Sequence, residues 1–184
     1  MKSIRETLTA IGLGRIANQV ESAVKQSALL VATDRSEDAT TRLGGMPNLP
    51  SEIEWPRWKG KPLAFVAQID LAALPIIENL CLPRNGALFF FYDGESGGFQ
   101  PGDRGSFCVF YSAAPLTQFR PRPFPSDLPS ELYFTGLQLI VGSPELSLPG
   151  WEDTVVNEAG LSAEERHAYS DFREQWIGLG TGQV

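Results

Sequence analysis

At residue 62 the chain changes from helix-like to period-two patterning, and the strand-like runs from there to residue 141 are separated by segments rich in proline and glycine. In "PLAFVAQID" (62–70), Leu63, Phe65, Ala67 and Ile69 point one way, while Ala64, Val66 and Gln68 point the other. "GALFFFYD" (86–93) is apolar on both faces, which predicts a central, covered strand; the Asn85-Gly86 pair in front of it is a turn signal. "SFCVFYS" (106–112) and "ELYFTGLQLIV" (131–141) predict two further strands, the last bent at Gly136. Parallel neighbours need crossovers of a dozen or more residues, usually helical, and the connections here are Pro/Gly loops. The expected fold class is therefore α+β, with a mainly antiparallel sheet.

Helices are expected at both ends, packed on that sheet. Ser3 and Glu6 have capping-box spacing, and Ile4, Leu8 and Ile11 follow at helical intervals. After Gly12 and Gly14 a second helix is expected from about Arg15, with Ile16, Val20 and Val24 on one face. The polar run "TDRSEDATTR" (33–42) reads as a loop or hinge, giving an N-terminal helical segment (1–40) and a main domain (41–184) within one globular unit. The last helix is announced by Ser162 and Glu165, with Tyr169, Phe172 and Trp176 on one face; "GLGTG" (178–182) is expected to end it.

Composition removes several functions. A formal charge of −7 argues against a nucleic-acid binder, which needs a basic face to neutralise phosphates. "FRPRPF" (119–124), with Arg120 and Arg122, reads as an extended edge. The apolar run "ALLVA" (28–32) is too short to span a bilayer, and "MKSIRETLTAIGLGRI", interrupted by charge and glycine, does not resemble a signal peptide. Cys81 and Cys108 have no metal-type spacing and read as two reduced, buried thiols of a cytoplasmic protein. No cofactor is expected: no glycine-rich nucleotide motif stands between a strand and a helix, and one histidine cannot supply a multi-histidine metal site.

Two motifs invite chemistry. "GESGG" (94–98) has the spacing of a nucleophile elbow, and Asp153 and His167 follow Ser96 in the chain order of that hydrolase class. The elbow needs a helix after the serine, and Pro101-Gly102 in "FQPGDRG" opposes one, so a glycine-rich turn accounts for the same residues. "DGESGGFQPGDR" (93–104) offers Asp93, Glu95 and Asp103 to a calcium ion but places Arg104 where a calcium loop has glutamate.

The densest stretch is "RLGGMPNLPSEIEWPRWKGKPLAFVAQIDL" (42–71). Gly44-Gly45 allows backbone angles that other residues avoid, Pro47 and Pro50 hold the chain extended, and Trp55 before Pro56 is kept out of helix. This pattern suits a folding device. It equally suits a ligand groove formed by Trp55, Trp58, Gln68 and Asp70, with Asp93, Asp103 and Arg104 on a neighbouring loop.

"GGMPNLPSEIEWPRWKGKPLAFVAQIDLAALP", "LPRNGALFFFYD", "GFQPGDRGSFCVFY" and "LSLPGWEDTVVNEAGLSAEERHAYSDF", in that order, closely resemble the bacterial YwqG-like family from about Arg42 to Trp176. The resemblance implies a soluble α+β protein of unknown function and carries no catalytic residues with it. Cys108 stands where the resemblance implies arginine. The family's last helix is followed by a His-x-x-x-Gly-x-Pro segment and a further strand, whereas this sequence ends at Val184. A sheet edge left open there would invite a homodimer. The function expected is a non-enzymatic binding or interaction domain for a protein or small ligand. The alternatives are a serine hydrolase, or a structural subunit docking through the N-terminal helices or the open edge.

Overall fold

The computed structural model describes residues 3–33, 40–77, 81–96, 98 and 100–181. It divides into two compact units, residues 29–143 and residues 1–28 with 144–184. The fold is α+β with a mainly antiparallel sheet.

Ten strands occur among the described residues: β1 (Lys25–Thr33), β2 (Arg42–Leu43), β3 (Asn48–Leu49), β4 (Arg57–Trp58), β5 (Lys61–Pro62), β6 (Ala64–Asp70), β7 (Ala87–Tyr92), β8 (Phe107–Ser112), β9 (Arg120–Pro121) and β10 (Leu137–Ser147). Six form one sheet in the order β1-β10-β2-β6-β7-β8, while β3-β9 and β4-β5 make two short ribbons. Strands β6, β7 and β8 are neighbours in sequence and in space, and both pairings are antiparallel. A bulge between Phe65 and Ala67 leaves the opposite partners Phe91 and Phe90 adjacent.

The core of the 29–143 unit lies on one face of this sheet. Phe65, Ala87, Phe89 and Phe91 are buried there against Leu49, Trp55, Leu63, Leu116 and Leu128. Strand β7 is not covered equally on both sides: Ala87, Phe89 and Phe91 are buried, whereas Leu88, Phe90 and Tyr92 are half-buried. An apolar run therefore marked a strand with one dry face and one sparsely covered face. FRPRPF does form an extended pairing, with Asn48 opposite Pro121 and Leu49 opposite Arg120.

The other unit packs α1 (Ile4–Ala10), α2 (Ala17–Ala23), α3 (Thr154–Asn157) and α4 (Ala163–Thr181) around their own core. The Ser3 hydroxyl accepts from Glu6 N, and the Glu6 carboxylate accepts from Ser3 N, closing the capping box. Ser162 and Glu165 make the same reciprocal pair ahead of α4. Leu8, Ile16, Val20, Tyr169 and Phe172 fill this core, with Trp176 packed against it. Ile11, expected on the buried face, caps α1 and is exposed.

Three other expectations are corrected. Residues 25–33 form a strand that helical spacing concealed. The strand expected from 131 begins at Leu137, after a 3-10 turn at Ser130–Leu132. Helix α4 runs through Gly178 and Gly180 to Thr181, since glycine weakens a helix by about 1 kcal/mol without forbidding it.

Candidate functional site

The 42–71 stretch is built from contacts that lock the chain to itself. Gly44 and Gly45 have φ of +58° and +68°, and a Cβ on Gly44 would lie 2.5 Å from the Thr135 carbonyl oxygen. Only glycine lets this backbone press so close to residues 134–136, where Gly45 N donates to the Phe134 carbonyl at 2.9 Å. Lys59 and Gly60, at φ +49° and +81°, make the two-residue turn between β4 and β5. Arg57 then holds Asp127 with two bonds of 2.7 and 3.0 Å. That bond lowers the Asp127 carboxyl below its ordinary range.

Trp55 is buried, its indole N–H donating to the Leu63 carbonyl at 2.8 Å, and its ring meets Phe91 and Phe124 edge-on. Trp58 is half-buried; its N–H donates to the Arg104 carbonyl at 2.9 Å, and the Lys59 ammonium stands 3.8 Å over its ring. Gly105 lies so close that an added Cβ would sit 3.0 Å from the Trp58 ring. Thus Trp58 fixes the loop that carries Asp103 and Arg104.

Gln68 is fully buried. Its Oε1 accepts from Asn48 N at 2.9 Å and its Nε2 donates to the Thr40 carbonyl at 2.7 Å. Asp70 accepts from the Thr40 hydroxyl at 2.7 Å and from Ala72 N at 3.0 Å, capping a 3-10 turn. Together these two residues hold the 40–48 segment against β6. Asp93 accepts from the Ser96 amide and hydroxyl at 3.1 and 3.0 Å, and Asp103 accepts from Gln100 N at 3.1 Å. The contacts therefore join Trp58 to the 103–105 loop, join Gln68 and Asp70 to residues 40–48, and place Trp55 in the core.

The next described element after Ser96 is a 3-10 turn at Pro101–Asp103. In the helical unit, His167 has its side chain 83% exposed, with Nε2 3.7 Å from Asp171. Asp153 accepts from Gly150 N. A recess of about 310 Å³ there is lined by Lys25, Ser147, Asp153 and Thr154 among others. No group of three or more His, Cys, Asp or Glu among the described residues has the arrangement of a metal site. Within those residues no helix is long and apolar enough to cross a membrane.

Cys108 is half-buried, and burial pushes its thiol pKa up; Cys81, expected to be buried, is exposed. Both are free. Cys81 lies in the connection between β6 and β7.

Periodicity alone left the opposite face of the sheet unnoticed. Leu137 lies opposite Leu43, Leu43 opposite Ala67, Ala67 opposite Phe90, and Phe90 opposite Val109. Directly paired residues share a face, so one apolar row crosses five strands. Leu137, Leu43 and Val109 in that row are 46%, 40% and 50% exposed. Beside it, Tyr92 pairs with Phe107 and Leu88 with Tyr111, and both β8 residues are exposed. Phe107, Val109 and Tyr111 are the odd positions of β8, but FCVFY is apolar at both parities, so the sequence does not mark which side meets solvent.

Comparison with family profiles matches residues 41–179 to "Domain of unknown function (DUF1963)". The chain belongs to this family. Comparison with curated proteins gives no match. The matched span in DUF1963 covers the glycine–tryptophan stretch, the five-strand row and most of α4. The locks around Gly44, Trp55 and Gln68 therefore lie inside the domain the family defines.

Proposed function

We propose that this DUF1963 chain is a non-enzymatic interaction domain of the YwqG-like kind, working in the bacterial cytoplasm and binding a partner through the uncovered face of its sheet. The observation that carries this reading is the apolar row from Leu137 to Val109. Exposed apolar patches larger than a few hundred Å² mark interaction surfaces on soluble proteins. The groups that looked chemical in sequence support it from the other side: Trp55, Gln68, Asp70 and Asp93 are engaged in holding the fold.

The test is photo-crosslinking in the cell that makes the protein, with p-benzoylphenylalanine in place of Phe107 on the uncovered face. A second probe replaces Gln118, which is exposed in the 3-10 turn Leu116–Gln118 rather than on a sheet strand. A discrete adduct from position 107 and none from position 118 is the expected result. No adduct at 107, or equal adducts at both positions, overturns the reading. Labelling of Ser96 by a fluorophosphonate in folded protein would overturn its non-enzymatic part.

A further inference from the structure

The geometry points to a second copy of this chain as the occupant of the uncovered sheet face, the two sheets packing face to face about a two-fold axis. This inference rests on the interaction reading and names its partner.

Charge is the first argument. The chain carries a formal charge of −7, so two copies repel one another over most orientations. The face bearing Leu43, Phe90, Phe107, Val109, Tyr111 and Leu137 presents no charged side chain in its paired rows. The segment 105–114, "GSFCVFYSAA", is uncharged throughout. An isologous contact sets each patch against its own copy, so it tolerates an uncharged patch and penalises a charged one.

Area is the second argument. Leu43, Phe107, Val109, Tyr111 and Leu137 are between 40% and 60% exposed. With the half-buried residues between them they offer roughly 600 Å² per copy, taking large apolar side chains at about 150–200 Å² each. Two copies then bury about 1,200 Å², the lower end of the range for specific interfaces. Face-to-face sheets packed at about 10 Å spacing suit such flat, aromatic rows.

The side-chain rows also separate this arrangement from pairing of β8 edges. Leu43 lies on β2, an interior strand between β10 and β6, yet its side chain belongs to the uncovered face. A charge there spoils a face-to-face contact and leaves the β8 edge untouched.

The experiment is sedimentation velocity on the full chain across about 1–200 µM, a range that covers micromolar association, the weak end for specific interfaces. It is run on wild type, Leu43→Glu and Tyr111→Glu, with circular dichroism and thermal melting on each. Wild type is expected to shift from monomer to dimer, and each variant to need at least tenfold higher concentration while melting as a folded protein. Two substituted positions keep the test decisive if one variant fails to fold. A wild type that stays monomeric throughout, or a folded Leu43→Glu that dimerises as wild type does, overturns the inference. The photo-adduct from position 107 separates the two readings: an adduct of twice the chain mass supports both. A heavier or lighter adduct sinks the second-copy assignment alone, and no adduct sinks the interaction reading.

Discussion

Gln68 Oε1 receives the backbone N–H of Asn48 at 2.9 Å, and because Gln68 is fully buried this bond joins two otherwise separate pieces of sheet. Asn48 belongs to the ribbon with β9, whereas Gln68 is in the central strand β6. The same amide donates to the Thr40 carbonyl at 2.7 Å, so one side chain supplies an acceptor and a donor to two backbone groups.

Gln68→Leu leaves both backbone groups without that partner. Each lost partner in a buried site costs about 1–3 kcal/mol, so a loss of roughly 2–6 kcal/mol is expected in urea unfolding. A loss under about 0.5 kcal/mol would show that water takes the place of the amide.

Trp55 and Trp58 are expected to separate in magnitude. Trp55→Ala removes a buried ring and its bond to Leu63 and should cost about 3–5 kcal/mol. Trp58→Ala removes a half-buried ring and one bond to Arg104, for about 1–2 kcal/mol. Denaturant midpoints of the two variants check the order.

Gly86 has φ +91°, and a Cβ there would stand 2.1 Å from the Ser112 carbonyl oxygen. Gly86→Ala is expected to destabilise by more than about 2 kcal/mol, since both backbone angle and space oppose it. Gly98→Ala, at φ +72° with open space around the added carbon, should cost less. Thermal melting of the two variants tests the contrast.

Tyr169 donates its hydroxyl to the Pro149 carbonyl at 2.9 Å, and desolvation by burial, opposed by Arg173 and reinforced by Asp153, pushes its pKa up to about 12. Below pH ~10 the hydroxyl is protonated in folded and unfolded chains alike, so its contribution is fully present. Between pH ~10 and ~12 the unfolded chain loses the proton first, binds fewer protons, and stability falls as pH rises, by roughly 2–3 kcal/mol in all. Tyr169→Phe should lose the bond at neutral pH and show a shallower alkaline decline than wild type. Equal slopes in the two proteins would contradict the assignment.

Cys81 should react promptly with a chromogenic disulfide reagent in the folded protein, because it is exposed. Cys108, half-buried and with its thiol pKa raised by burial, should react slowly until the chain unfolds. Equal rates at both cysteines would place Cys108 outside the core side of β8.

The sequence by itself determined the local geometry. Ser3–Glu6 and Ser162–Glu165 form their capping boxes because the bonds involve residues three apart. A period-two run marks β6 and apolar runs mark β7 and β8, and their pairing is antiparallel, as Pro/Gly connections without crossover helices predict. What tertiary structure decided was the use of each residue. Trp55 and Trp58 are three residues apart in one stretch, yet one fills the core and the other holds the 103–105 loop, because their partners come from Leu63 and Arg104. β1 was hidden because an apolar helix stripe and a short strand look alike when the paired strand, β10, is more than a hundred residues away. The uncovered face was hidden for the same reason. Leu137, Leu43, Ala67, Phe90 and Val109 are unremarkable one by one, and only long-range register sets them in a single row.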